Sequence, residues 1–363
     1  MLIVGAGIAG LALARALRLR ESTVELLVVE RAEQWSQAGA GLYLPGNAVR
    51  ALGELGLGPV LSDRASPIVR QRFLDHRGGL LAEIDVERFW AGVGGCVAIE
   101  RAALHDVLVE ATADVSIRLG TSVTGLEPGA TPRVTFSDGS TGTYDLVVGA
   151  DGVHSTVRTL ALGGPPARYV GQASWRFVAG GFPDSGEWSV LLGRGRAFLT
   201  VALGRGAVYC YADLNTSDPA AAAAGDWRRL FADFAEPVPS LLEQAGETYV
   251  APIEEVAAPE WTASGVALVG DAAHASSPNM AQGAAMAVED ALVLADLLTA
   301  GRPVAPALAE YERRRRKRVA WVQEQTHRRD RTRSLPSFVR NLTLRLAAER
   351  IFRSNYEPLL APP

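Results

Sequence analysis

The sequence predicts an α/β fold in which a helix-flanked parallel sheet is interleaved with an antiparallel-sheet domain and followed by C-terminal helices. Three observations support this. The chain opens with a strand, a glycine turn, a helix and a second strand within about 30 residues, the order of a βαβ unit. Two more buried strands end at glycine and aspartate, at 145–151 and 265–271, and strands with glycine turns fill 169–213 between them. Residues 306–353 are helical in pattern and basic.

The composition narrows the class of protein. The 363 residues provide chain for roughly two domains. With 48% apolar and 21% charged residues, the composition is that of a globular protein. A net charge of −4 argues against a chain built chiefly to bind nucleic acid. Two cysteines without metal-ligand spacing predict a reducing, cytoplasmic location. The absence of an apolar run of about 18 residues predicts no stable membrane insertion.

Local patterns predict the remaining elements. The expected helices cover 11–20, 46–61, 100–112, DWRRLFADF, 239–245 and a long segment from about 283. Residues 68–86 predict a β-hairpin that turns at His76-Arg77-Gly78-Gly79. The alanine run at 220–224 is expected to be a loop or helix edge.

The glycine turn GAGIAG at 5–10 predicts a dinucleotide site. Gly5 permits the tight turn, Gly7 lets the backbone approach a pyrophosphate, and Gly10, next to Ala9, lets the helix pack close to the strand. The helix N-terminus presents free N–H groups to the phosphates. Glu30 closes the second strand twenty residues after Gly10, where an acid accepts hydrogen bonds from a ribose. The alternative is a plain βαβ turn with a surface glutamate.

Two further motifs identify a family. They are DLVVGADGVHSTVR at 145–158 and GVALVGDAAHASSPNMAQGAAMAVEDA at 265–291. With the glycine turn they make the sequence resemble the class A flavoprotein monooxygenases of the para-hydroxybenzoate hydroxylase-like fold, over essentially 1–320. Within this family, the sequence most resembles the salicylate and 6-hydroxynicotinate hydroxylases. Ala281 departs from the pattern, because many relatives have glycine there.

The resemblance implies a Rossmann-like domain that binds FAD non-covalently. The presence of a single GxGxxG implies that NAD(P)H docks only transiently as electron donor. Asp271 would accept a hydroxyl of the ribityl chain, and Arg101 would reach the sugar and phosphate region. Asp151 would either contact the flavin or support the site indirectly, and the backbone of Val123 would meet the adenine. The implied cofactor-binding residues are Gly5, Gly7, Ala9, Gly10, Glu30, Arg31, Gly41, Leu42, Arg101, Val123, Asp151, Asp271, Pro278, Gln282, Gly283, Ala284 and Ala285.

By resemblance, the protein uses NAD(P)H and O₂ to hydroxylate a small aromatic substrate through a C4a-hydroperoxyflavin. The alternatives are a flavoprotein dehydrogenase or reductase on the same fold, and a non-catalytic FAD-binding scaffold. The sequence leaves monomer and homodimer open. The expected boundaries are 1–66, 96–165 and 258–300 for the FAD domain, 67–95 and 166–257 for the substrate domain, and 301–363 for the C-terminal helices.

The antiparallel strands at 169–213 are expected to roof the substrate pocket. The candidate lining residues are Trp175, Arg176, Phe198, Tyr209 and Tyr211. Strand alternation places Tyr209 and Tyr211 on one face and Cys210 on the other. As catalytic candidates, Arg196 would attract an anionic substrate group and Tyr209 would orient it. Core packing for the aromatic residues and a solvent-facing turn for Arg196 are the alternatives.

Other functional classes have weaker support. The five histidines do not cluster in the sequence, so we expect no metal site. No GxSxG motif is present to support a serine hydrolase. The basic run Arg313–Arg318 is interspersed with glutamates nearby, which predicts a solvated helix face rather than a nucleic-acid patch.

Overall fold

A computed structural model describes residues 1–20, 23–35, 40–222 and 225–363. Its strands, numbered in chain order, are β1 (Leu2–Val4), β2 (Leu27–Val29), β3 (Gly41–Leu44), β4 (Ser66–Ile68), β5 (Arg70–Asp75), β6 (Leu80–Asp85), β7 (Cys96–Glu100), β8 (Ser116–Arg118), β9 (Val123–Glu127), β10 (Arg133–Phe136), β11 (Thr141–Thr143), β12 (Val147–Gly149), β13 (Arg168–Ala179), β14 (Glu187–Leu192), β15 (Arg196–Gly204), β16 (Ala207–Asn215), β17 (Tyr249–Glu255), β18 (Thr262–Ala263) and β19 (Val266–Leu268).

The α-helices of the described residues are α1 (Ile8–Leu19), α2 (Gly46–Glu54), α3 (Gly58–Arg64), α4 (Val86–Phe89), α5 (Arg101–Glu110), α6 (Thr156–Leu162), α7 (Val238–Glu243), α8 (Asp271–His274), α9 (Gly283–Thr299), α10 (Val304–Arg333) and α11 (Ser337–Tyr356). Short 3₁₀ helices cover Pro219–Ala222, Trp227–Phe231, Pro278–Met280 and Glu357–Leu359.

A six-stranded sheet brings the three motifs to one edge. Its order is β18-β19-β12-β1-β2-β8, and its strands run parallel except for β18. In register, Val4 of β1 lies beside Gly149 of β12, which lies beside Leu268 of β19. The glycine turn, the Asp151 loop and the Asp271 loop therefore leave neighbouring strands at the same carboxyl edge. In open α/β sheets this edge is where ligands bind.

A seven-stranded sheet forms the second layer, in the order β17-β13-β16-β15-β14-β5-β6. It is antiparallel except for the parallel pair β14–β5. The predicted hairpin of β5 and β6 is confirmed. One face of the sheet packs on a separate aromatic core that includes Trp227 and Phe231, and we call it the outer face. The other face packs against the main core through side chains such as Tyr209 and Val201, and we call it the inner face.

The C-terminal helices close the molecule. Helix α10 packs on α9, and α11 packs on β6 at the edge of the seven-stranded sheet. The predicted solvated face for Arg313–Arg318 is wrong for two arginines. Arg315 is fully buried and Arg318 nearly so, because both pair with carboxylates of α9.

Two predicted helices differ from the structure. The segment 46–61 contains α2 and α3 rather than one helix, because Gly56 adopts a positive φ of 75° that ends the first helix. DWRRLFADF forms a 3₁₀ turn at Trp227–Phe231. Part of the alanine run, 223–224, lies outside the described residues. No helix in the described ranges combines the length and apolar character needed to cross a bilayer.

Candidate active site

The glycine turn after β1 is shaped by close backbone contacts. A Cβ on Gly5, whose φ is 104°, would lie 2.4 Å from the carbonyl oxygen of Ala150. A Cβ on Gly10 would lie 2.0 Å from the carbonyl oxygen of Gly5. A Cβ on Gly7, by contrast, would meet no atom within 4 Å. Gly5 and Gly10 therefore serve the fold, whereas Gly7 leaves open space at the start of α1, which has neither a side-chain cap nor an acid in its first turn.

Glu30 is held beside that turn. Its Oε2 accepts a hydrogen bond from the backbone N–H of Ala6 at 2.9 Å, and its Oε1 accepts one from Ala32 at 3.0 Å. The carboxylate is thus fixed at the carboxyl end of β2, where a ribose would reach it. His105 of α5 also touches the turn, with Nε2 2.9 Å from the carbonyl oxygen of Ala6. No local pattern in the sequence indicates this last contact.

The third motif positions Asp271 at a strand end. Asp271 is exposed and opens α8 directly after Gly270, whose φ is 60°. The backbone N–H of Gly270 donates to Asp290 at 2.9 Å, and Nε2 of His274 lies 2.6 Å from the same carboxylate. Burial alone would raise the pKa of Asp290, but His274 and Arg315 outweigh it and lower that pKa. A buried anion therefore anchors the loop that presents Asp271.

Gln282 has a structural role that the sequence did not indicate. Its amide is buried and pairs with Asn47 of α2, through contacts of 2.9 and 3.2 Å. Asn47 also donates to Glu289 of α9 at 3.2 Å. The side chain of Gln282 therefore joins α2 to α9, and only its backbone is left for a cofactor. Gly283, the first residue of α9, is exposed, and the helix has no side-chain cap.

Asp151 supports the site by capping a helix. Its carboxylate accepts hydrogen bonds from the Ser155 hydroxyl at 2.5 Å and from the Thr156 N–H at 2.7 Å. Burial raises the pKa of Asp151, although these hydrogen bonds oppose the rise. Arg158 follows on α6 and donates to the carbonyl oxygen of Ala272 at 2.8 Å. The second motif therefore braces the third through Arg158, and both expectations for Asp151, direct flavin contact and indirect support, stay predictions.

The other cofactor candidates divide by exposure. Arg31, Arg101 and Pro278 are exposed; Leu42 and Ala284 are half-buried; Ala9, Gly41, Val123 and Ala285 are buried. Gly41 of β3, in the three-stranded sheet β3-β7-β4, closely approaches the seven-stranded sheet, because a Cβ there would lie 2.5 Å from the Cβ of Tyr209. The backbone N–H of Arg101 donates to the carbonyl oxygen of Ala40 at 3.0 Å, so α5 begins next to β3.

The sheet separates the substrate candidates into two groups. Tyr209, Tyr211 and Arg176 lie on the inner face, and the Arg176 guanidinium stacks over the Tyr211 ring at 5.4 Å. Cys210 lies on the outer face, which confirms the predicted alternation. Burial raises the pKa of both tyrosines, so both hydroxyls stay protonated near neutral pH and are available to donate a hydrogen bond. Neither serves as a ready general base.

Three substrate candidates are corrected. Trp175 and Phe198 belong to the outer aromatic core, where Trp175 stacks on Trp227 at 5.4 Å. Arg196 also points outward, pairing with Asp233 at 2.7 Å and lying over the Phe234 ring. The physical reason is strand register, because residues paired across neighbouring strands share a face. Arg196 is paired with Leu214 of β16, which packs on the outer core, whereas Tyr209 is paired with Val201, which packs on the main core. Hence Arg196 and Tyr209 cannot act on one substrate.

A polar cluster on the inner face was missed by the sequence analysis. We define the Arg333 cluster as Gln172, Tyr211, Asp213, Asp330 and Arg333. Asp213 is fully buried and forms an ion pair with Arg333 at the end of α10. Gln172 donates to Asp330 at 3.2 Å. Among the described residues, fourteen buried side-chain polar atoms have no hydrogen-bond partner, and the Tyr211 hydroxyl and Gln172 Oε1 of this cluster are two of them. Only the fold brings α10 to these strands, so no sequence signal could have found the cluster.

The cluster adjoins the third motif. The Arg333 guanidinium donates to the side-chain oxygen of Asn279 at 2.6 Å. Asn279 lies between Pro278 and Met280, in the loop that leads to α9. The inner face of the sheet, the end of α10 and the predicted flavin loop therefore meet at one place. No three His, Cys, Asp or Glu side chains converge as a metal-binding group anywhere in the described ranges.

Comparison with known proteins agrees with this geometry. The model of a family described as "FAD binding domain" matches residues 1–326. The chain belongs to this family. Over 341 residues the flavoprotein is 33% identical to 2-heptyl-3-hydroxy-4(1H)-quinolone synthase of Pseudomonas aeruginosa, covering 90% of this chain and 87% of the relative. Over 344 residues it is 34% identical to 3-amino-4-hydroxybenzoate 2-monooxygenase of Streptomyces cremeus, covering 90% and 85%.

The fold comparison extends over the whole chain. The flavoprotein superposes on Klebsiella pneumoniae HpxO complexed with FAD and uric acid with a TM-score of 0.90 and 26% identity, covering 100% of this chain and 97% of that chain. The predicted α/β fold, the FAD cofactor and the assignment to FAD-dependent monooxygenases are thereby confirmed.

Proposed function

We propose that this flavoprotein uses NAD(P)H and O₂ to hydroxylate an aromatic or heteroaromatic substrate held against the inner face of the seven-stranded sheet. One observation carries the proposal: of the fourteen buried polar atoms that lack a hydrogen-bond partner among the described residues, five belong to the Arg333 cluster, including those of Tyr211 and Gln172. Unpaired buried polar groups are costly and rare in native proteins, and a bound ligand is a standard explanation for them. The cluster lies next to the loop that precedes α9.

The described residues fit FAD. The open space at Gly7 admits a pyrophosphate, and the anchored Glu30 carboxylate would hold the adenosine ribose. The exposed Asp271 would accept a ribityl hydroxyl, and the exposed backbone at Gly283 would face the flavin pyrimidine. When bound, FAD supplies electron transfer from NAD(P)H and activation of oxygen. Since the chain has one GxGxxG turn, we propose that NAD(P)H docks transiently rather than on a second nucleotide-binding domain.

The inner face would orient the substrate and stabilise its charge. The Tyr211 hydroxyl and Gln172 Oε1 offer one donor and one acceptor to a substrate edge. Arg176 stacks over the Tyr211 ring and would stabilise the electron-rich, phenolate-like form that hydroxylation requires, whereas the charge of Arg333 is balanced by its ion pair with Asp213. Hydroxy- and oxo-substituted aromatic rings present such edges; the two relatives are named for compounds of that kind, and the superposed HpxO is complexed with uric acid.

The test begins with a substrate screen. The FAD-loaded protein is mixed with NADH or NADPH and with phenols, salicylates, hydroxypyridines, quinolones or urate, and mass spectrometry detects insertion of one oxygen atom. Tyr211→Phe is then compared with Arg196→Met, a change on the opposite face of the same sheet. We expect Tyr211→Phe to weaken substrate binding by about tenfold, as for loss of one hydrogen bond. It should also release hydrogen peroxide in place of product.

Arg196→Met should keep product formation coupled to NAD(P)H oxidation, because its side chain contacts only the outer layer. A fully coupled Tyr211→Phe variant with unchanged substrate affinity would contradict the proposed substrate site. Substrate-dependent flavin reduction with no oxygen inserted would favour the dehydrogenase alternative.

A further inference from the structure

Helix α11 and the residues just before it expose an unusual amount of apolar surface. We define the α11 stripe as Leu335, Phe338, Val339, Leu342 and Leu346. Phe338 and Leu346 are 77% and 78% exposed, the largest exposures among the apolar side chains in the described ranges. Most apolar side chains on a monomer surface are scattered singly and need no explanation. A contiguous stripe on one helix does need one.

The stripe is presented rigidly. Phe338, Leu342 and Leu346 recur every four residues on α11 with Val339 beside them, so these four lie on one side of the helix, and Leu335 directly precedes it. Elsewhere along its length α11 is tied to the molecule: Phe352 and Tyr356 are buried near its C-terminal end, and Arg340 donates to the carbonyl oxygen of Leu192 at 3.0 Å. No described part of the chain covers the stripe. We therefore expect a surface outside the described residues to bind it.

The charge around the stripe indicates what kind of surface binds it. Helix α11 carries four arginines, of which Arg340 is buried, and one acid, Glu349, although the whole chain has a net charge of −4; Glu83 of β6 lines the same groove as Leu346 and Arg345. Arg345, Arg350 and Arg353 are exposed on α11. An apolar helix face bordered by arginines suits an anionic lipid surface, where the side chains enter the headgroup boundary and the cations pair with phosphates. A second copy docked through the same surface would bring like charges together.

We propose that the α11 stripe docks this flavoprotein reversibly on anionic lipid, with the helix lying in the plane of the membrane surface. Arg333 of the Arg333 cluster lies only two residues before Leu335, so docking would place the C-terminal wall of the proposed pocket next to the lipid. The proposal does not depend on the substrate or on turnover.

Co-sedimentation of the full-length, FAD-loaded protein with vesicles tests this inference. One set of vesicles is pure phosphatidylcholine, and the other is an equal mixture of phosphatidylcholine and phosphatidylglycerol. We expect binding to the mixed vesicles only, and less of it as salt rises. The double variant Phe338→Ser, Leu346→Ser should bind about tenfold less or weaker still, since two large side chains no longer enter the lipid. Arg345→Gln with Arg350→Gln should weaken binding while leaving the stripe intact.

Leu160→Ser removes an exposed leucine outside the stripe, 38% exposed on α6, and should bind like the unmodified protein. Thermal unfolding checks that each variant is folded. Absence of binding to the mixed vesicles, or unchanged binding by the Phe338→Ser, Leu346→Ser variant, would overturn the proposal. A homodimer in light scattering that this variant converts to monomer would assign the stripe to a second copy and also overturn it.

Discussion

Gly7→Ala separates cofactor binding from folding at the glycine turn. Gly7 has φ −80° and ψ −171°, an extended conformation that alanine adopts, and the new methyl meets no protein atom within 4 Å. The free energy of unfolding of the FAD-free protein should therefore change by less than about 0.5 kcal/mol. A pyrophosphate lying against this turn would be crowded by the methyl, at a cost of about 1–3 kcal/mol. FAD should then bind about 5- to 150-fold more weakly.

Gly10→Ala is the matched contrast. Its methyl would lie 2.0 Å from the carbonyl oxygen of Gly5, so backbone must shift before any ligand arrives. We expect the FAD-free protein to lose about 3 kcal/mol or more, because the overlap involves backbone rather than a flexible side chain. The two substitutions, three residues apart, should thus affect different properties. Gly7→Ala should impair FAD binding without affecting stability, and Gly10→Ala should lower stability.

The assay uses protein stripped of FAD. Urea unfolding gives the stability of each variant, and quenching of flavin fluorescence on titration gives its FAD affinity. If Gly7→Ala binds FAD as tightly as the unmodified protein, the predicted contact between Gly7 and the pyrophosphate is refuted. If Gly10→Ala is as stable as the unmodified protein, the predicted effect of the close contact between Gly10 and Gly5 is refuted.

Two further predictions concern buried groups. Arg315→Met should lower the free energy of unfolding by about 3–5 kcal/mol, because it leaves two buried carboxylates without their shared partner. Arg313→Met, on the exposed side of the same helix, should leave urea unfolding unchanged, and equal effects of the two variants would contradict the burial argument. Burial raises the pKa of Cys96 to about 12 and also raises the pKa of Cys210. Neither thiol should react with a disulfide reagent at neutral pH until the protein unfolds, and rapid modification of the native protein would count against this.

The parts of the fold that are encoded locally could be predicted from the sequence. The glycine turn, the hairpin and the long helix from Gly283 depend on residues close together in the chain, and the structure contains all three. The division of 46–61 into two helices was missed, because the pattern of apolar residues continues through Gly56 while the backbone does not.

The candidate site was predicted less completely, for a geometric reason. Strand alternation shows which side chains share a face, and it correctly grouped Tyr209 with Tyr211. It does not show which face meets the cofactor, so Trp175 and Phe198 were assigned to the wrong layer. Only the pairing of strands reveals that Arg196 lies opposite Leu214. Contacts between distant segments, such as Asp213 with Arg333, have no local signature at all.

The anchoring of Asp290 has a consequence for protein engineering. This carboxylate holds the Gly270 turn of the proposed flavin site on one side and Arg315 of α10 on the other. A chain shortened before α10 would expose the carboxylates of α9 and release the turn, so it would not yield a smaller working enzyme. Chimeras that exchange C-terminal segments to alter selectivity must transfer α9 together with α10. A crossover in the loop at 300–303 would divide Asp290 from Arg315, and one just before Gly283 would divide Asp290 from Gly270 and His274.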